Sequence, residues 1–88
     1  MSTKQKIQLP LEHVQKTLRY LDLEYVKKRL PDGYGVQLRL DNDGFEHVNI
    51  NVYNTHTVVV QPMQGPEAIF VRRMLAMRAR KLRRLRKI

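Results

Sequence analysis

Apolar residues recur along this chain with two periods, and the switches between them outline the fold. From Pro10 onward, Leu11, Val14, Leu18, Leu21 and Tyr25 return at three- and four-residue steps, which is one face of a helix. Leu23, Val26 and Leu30 lie on a second face and predict a bend or break near Asp22, and Pro31 with Asp32-Gly33 closes the element by Leu30. On this reading Lys27, Lys28 and Arg29 serve the negative end of the helix dipole. The period then becomes two. Val36, Leu38 and Leu40, and after them Val48, Ile50 and Val52, alternate with polar residues and predict two half-buried strands. Asp41-Asn42-Asp43-Gly44 joins them; a three- or five-residue loop keeps all these positions on one face, whereas a two-residue loop divides them between faces. A third strand runs from Thr57 to about Gln61 after a turn at Asn54 to His56. The consecutive Val58, Val59 and Val60 leave its register open, and Pro62 ends it.

The last element is a second helix. Pro66 suits a first helical position, Glu67 complements the positive end of the dipole, and no Gly or Pro interrupts the chain from there to Ile88. At about 100° per residue, Ala68, Val71, Met74, Leu75, Ala79, Leu82 and Leu85 collect on one side. Arg78 and Arg86 fall in or beside that arc, which predicts tight docking to about Ala79 and looser docking beyond. The whole reads as an α+β fold in the order helix, three strands, helix: an antiparallel three- to four-stranded sheet with both helices on one face. Residues 1–9 are a flexible lead-in, 10–80 a single domain and 81–88 a basic helical extension.

Charge sharpens the picture. Nine of the seventeen basic residues, Arg72, Arg73, Arg78, Arg80, Lys81, Arg83, Arg84, Arg86 and Lys87, lie on the second helix. All eight acids precede Arg72 and cancel the remaining eight cations, so the formal +9 sits on one element. Such a helix neutralises phosphates and releases counterions, and its bias toward arginine, seven to two, favours forked phosphate contacts. A solvated face opposite an acidic protein answers to the same pattern. A membrane-surface helix fits less well, because Trp is absent and arginines break the apolar arc.

The remaining chemistry is sparse. With no Cys and a single serine, Ser2, in the lead-in, a nucleophile-and-base arrangement has no nucleophile, and disulfides and thiolate metal sites are excluded. His13, His47 and His56 lack the spacing of a zinc site. Asp41-Asn42-Asp43-Gly44 opens like a calcium loop, but Val52 stands where the closing Glu belongs. No enzyme, metal or cofactor is expected. No apolar run approaches the roughly 18 residues of a membrane span and no signal-peptide core is present, which suggests a cytoplasmic or nuclear chain.

The run Val48-Asn49-Ile50-Asn51-Val52-Tyr53-Asn54-Thr55-His56-Thr57-Val58-Val59-Val60-Gln61, followed by Gly65-Pro66-Glu67-Ala68 and a helix, resembles the core of a TATA-box-binding-protein-like half domain. It is most similar to the N-terminal substrate-binding domain of bacterial ribonuclease HIII. The match covers about residues 10–80, with two departures: His56 stands where that turn usually has Gly, and Pro62-Met63-Gln64 lengthens the link to the last helix. The resemblance implies a curved antiparallel sheet with helices on the convex side and nucleic acid on the concave side. The non-core face then carries His47, Asn49, Asn51 and Tyr53, with Gln37 and Arg39 alongside. Asn and Arg suit base edges and Tyr53 suits stacking.

The expected function is therefore non-catalytic binding of DNA, RNA or a hybrid through the basic helix, with Arg39, Asn49, Asn51 and Tyr53 of the sheet as further contacts. Two alternatives share these features. One is a protein-binding regulator, an inhibitor or antitoxin-like molecule docking its basic helix on an acidic partner. The other is a double-stranded-RNA-binding or ribonucleoprotein component, although Glu67 opens the second helix where double-stranded-RNA-binding domains use a lysine cluster.

Overall fold

A computed structural model describes residues 7–86. The chain runs β1 (Ile7–Gln8), α1 (Leu11–Tyr20), β2 (Tyr25–Arg29), a 3₁₀ turn (Pro31–Gly33), β3 (Gly35–Leu40), β4 (Asn49–Tyr53), β5 (Thr57–Gln61) and α2 (Pro66–Arg86). All pairings are antiparallel, and the five strands lie in the order β1-β5-β4-β3-β2. The α+β class and the placing of both helices over one side of a curved sheet follow the expectation; the two edge strands were not foreseen.

The first helix is shorter than its periodicity suggests. Asp22 adopts a left-handed φ of 60°, a conformation that Asp tolerates better than most residues. The Leu23 amide donates to the Leu18 carbonyl and the Asp22 amide to that of Arg19. These two bonds form a Schellman stop, completed by the burial of Leu18 and Leu23. Beyond it Tyr25–Arg29 is not helix but the edge strand β2, pairing Tyr25 with Leu40 and Arg29 with Val36. Lys27, Lys28 and Arg29 therefore do not cap a helix. They line an exposed sheet edge, where charge discourages pairing with another chain.

At the other edge, Ile7 pairs with Val58, and the Leu9 amide donates 2.8 Å to the carbonyl of His56. Ile7 and Leu9 are both buried, so a lead-in extending to residue 9 is too long; residues 1–6 lie outside the described residues. His56 has φ 70°. It holds the left-handed position that glycine would take without strain, and its amide donates to Tyr53 across the turn.

The pairs Leu38–Ile50 and Val36–Val52 place the alternating residues of β3 and β4 on one face. Ile50–Val60 and Val52–Val58 settle the register of the valine run, turning Val58 and Val60 inward and Val59 outward. The β3–β4 connection spans 41–48, longer than expected; the Leu40 amide donates to the Val48 carbonyl, so the residues between that opposed pair, 41–47, are odd in number and parity is kept. It is fastened at several points. Asn42 accepts from the Glu24 amide and donates to the Asp22 carbonyl, Phe45 meets Phe70 edge to face at 6.5 Å, and His47 lies 3.4 Å from Glu67.

Ala68, Val71, Leu75 and Ala79 bury the inner stripe of α2 against a core that includes Leu9, Val14, Leu18, Leu38, Leu40 and Ile50. Packing tapers as the interrupted stripe predicts: Leu82 still packs on the core, while Leu85 is 59% exposed. The 21 residues of α2 span about 31 Å, against about 17 Å for a five-residue strand, so the helix outruns the sheet.

Gly35 marks the closest backbone approach. A Cβ there would meet the Val52 carbonyl oxygen at 2.2 Å and the Tyr53 Cα at 2.7 Å. We expect Gly35→Ala to destabilise the fold by about 3 kcal/mol, read as a lowered urea midpoint. An unchanged midpoint would show that β3 and β4 are not held at this separation.

Candidate nucleic-acid interface

Helix α2 presents the cations foreseen in the sequence. Arg73, Arg80, Lys81, Arg83 and Arg84 are exposed, while Arg72 and Arg78 are half-buried. The side chain of Arg86 and all of Lys87 lie outside the described residues. Among the described residues no arginine or lysine comes within 4.0 Å of a carboxylate; the only carboxylate neighbours among the basic side chains are histidines, in the His13–Glu12 and His47–Glu67 contacts. Arg72 donates 2.6 Å to the Met63 carbonyl, fixing the β5–α2 link to the helix flank. The Nε atoms of Arg72 and Arg78 are shielded from solvent and have no partner. A buried donor left unused costs about 1–3 kcal/mol, so the stems of these two arginines are packed against the protein at a cost to the fold.

The acids collect elsewhere. Asp22 and Glu24 in the α1–β2 turn, and Asp41, Asp43 and Glu46 in the β3–β4 loop, are exposed at the end where α2 begins. The Asn42 bonds tie these two segments together, and Phe45 and His47 tie the loop to Phe70 and Glu67. At the opposite end of α2, Leu82 and Arg83 adjoin Gln8, Pro10 and His56.

The open face of the sheet forms a second surface. Strand pairing sets Lys28, Gln37, Asn51 and Val59 in one row and Val26, Arg39, Asn49 and Gln61 in the next. Tyr53 follows at the end of β4, across from Gly35. None of the five strands contains an acid. Arg39 is exposed and Tyr53 half-buried. Asn51, despite its place on the open face, retains 9% exposure and accepts from the Gln37 amide at 3.2 Å. The side-chain Oδ1 of Asn49 is enclosed without a partner.

The structure thus unites Arg39, Asn49, Asn51 and Tyr53 on one face and the arginines on α2, but it does not bring the two groups together. The inner stripe of α2 packs on the side of the sheet that Leu38, Ile50 and Val60 occupy, opposite the polar rows. Sequence reasoning missed Lys28 on the open face because the helical repeat Leu18, Leu21, Tyr25 was carried through the Asp22 stop. The alternation of Val26 and Lys28 with Tyr25 and Lys27 was the available signal. His13, His47 and His56 stay apart on α1, the β3–β4 loop and the β4–β5 turn. No group of three or more metal-binding side chains gathers among the described residues, and none of their helices is long and apolar enough to cross a membrane.

Compared with protein-family models, curated proteins and solved structures, the chain finds no match.

The unequal burial of the open face separates supporting from displayed side chains. Asn51→Ala removes the acceptor that orients Gln37 and is expected to cost about 1 kcal/mol, whereas Arg39→Ala should leave stability within about 0.5 kcal/mol of the parent. Urea denaturation of the two variants measures both. Equal losses would place Arg39 in the supporting framework as well.

Proposed function

We propose that the protein is a small non-catalytic nucleic-acid-binding module whose principal contact surface is α2. The observation that carries this reading is the segregation of charge. Nine cations crowd residues 72–87 of the sequence, and those whose side chains are described have no carboxylate within 4.0 Å among the described residues. An intramolecular role would pair them; an external polyanion gains from finding them unpaired. The acid-free open face displays Lys28, Arg39 and Tyr53, groups suited to phosphates, bases and sugars, over the supporting side chain of Asn51. This is the face on which the resemblance to TATA-box-binding-protein-like half domains implies nucleic acid. A setting in the cytoplasm or nucleus suits a cysteine-free chain with this ligand.

A second reading has its own support. On the outer flank of α2, Met63, Ile69 and Met77 stand exposed beside Arg72, Arg73 and Arg80 along an open groove of ≈ 610 Å³. Mixed apolar and cationic surface of this kind fits an acidic amphipathic segment of a protein partner.

The deciding experiment is a titration of labelled single-stranded and duplex oligonucleotides across a salt series. The wild type should lose affinity steeply as salt rises. Joint replacement of Arg80, Lys81, Arg83 and Arg84 by Gln should lower the slope of log affinity against log salt by up to about 3–4 without shifting the unfolding midpoint. If the wild type binds no oligonucleotide at low salt, the nucleic-acid reading fails and the acidic-protein reading replaces it.

A further inference from the structure

An open groove of ≈ 410 Å³ runs between α1 and α2, walled by Lys16 and Tyr20 on one side and by Met74, Met77, Arg78 and Lys81 on the other. Lys16 and Tyr20 are one helical turn apart on α1, and Met74, Arg78 and Lys81 follow at steps of four and three along α2, so each helix turns one continuous strip toward the groove. Tyr20 is 84% exposed and Met77 also stands free. The three cations have no carboxylate within 4.0 Å among the described residues. Arg78 is the unusual member. Its register puts it in the apolar arc of α2, where a long cation ordinarily extends its whole head to water, yet its Nε remains enclosed and unpartnered.

We infer that this groove holds one unpaired nucleotide of a single-stranded nucleic acid, with the base against Tyr20 and Met77 and the phosphates on Lys16, Arg78 and Lys81. The inference rests on the nucleic-acid reading above and adds the place where a single strand is gripped. An aromatic ring interleaved with cations is the combination by which single strands are held, through stacking and backbone neutralisation together. Arg78 lines the groove, and the fork of a guanidinium matches the oxygens of a phosphate. The volume suits a ligand of nucleotide size. Bases stacked within a duplex do not offer a free face to Tyr20, so the groove favours single strands over duplexes.

The test uses the full chain and three variants, Tyr20→Ala, Lys81→Gln and Arg78→Gln. Probes are a short deoxyoligonucleotide carrying 5-iodouracil, offered single-stranded or annealed to its complement, and poly-glutamate. Irradiation of the single-stranded complex should yield an adduct on Tyr20. Tyr20→Ala should weaken single-strand binding about tenfold while leaving duplex binding and the salt slope unchanged. Lys81→Gln, at an exposed position, should lower the slope by about 0.7, and Arg78→Gln should do the same if its thermal midpoint is retained. Should Tyr20→Ala bind single strands as tightly as the wild type, with adducts elsewhere, the groove is not the site although the protein still binds nucleic acid. Failure of every oligonucleotide to bind overturns the nucleic-acid reading and this inference together. If Tyr20→Ala weakens only poly-glutamate binding, the groove belongs to an acidic protein.

Discussion

The structure depends on a narrow apolar stripe holding down a helix that its own charges push apart. Ala68, Val71, Leu75 and Ala79 are the inner contacts of α2, and all are nearly solvent-free. Around them the remaining circumference carries cations with no acid on the helix after Glu67. Like charges one turn apart oppose helix formation, so the helix persists through burial rather than intrinsic preference. The stripe is also what covers β1 and β5 and meets α1. Loosening it would uncover the apolar side of the sheet.

The β3–β4 loop extends this dependence to the rest of the molecule. One loop carries the Asn42 bonds to the α1–β2 turn, the Phe45 contact to Phe70 and the His47 contact to Glu67. It therefore joins the end of the first helix, the edge strand β2 and the start of the second helix. What begins as a solution to strand parity becomes the clamp at the end opposite the free arginines.

Much of this was legible in the sequence because the strongest signals were periodic. The alternation through Val36–Leu40 and Val48–Val52 gave the two central strands, and Pro66-Glu67 gave the start of α2. Edge strands were not legible. β1 has two described residues, too few for any period, and its burial comes from long-range pairing with Val58. β2 was concealed because Leu18, Leu21 and Tyr25 continue a helical spacing through a helix stop that rests on the left-handed Asp22, a residue less telling than glycine. Of the candidate site, the grouping of residues by face was readable from parity. The separation of α2 from the open face was not, since it depends on which side of the sheet the helices cover. The groove between α1 and α2 requires two elements distant in sequence and has no linear signature.

Segregating acids in the α1–β2 turn and β3–β4 loop from the arginines at the far end of α2 gives the molecule a lasting electrical axis. In the field of any polyanion such an axis experiences a torque before contact, out to about a Debye length, ≈ 8 Å in physiological salt. The protein is then turned arginine end first, and a larger share of collisions begins in the correct orientation. On the nucleic-acid reading proposed above, charge placement governs the geometry of approach as well as the strength of the final grip.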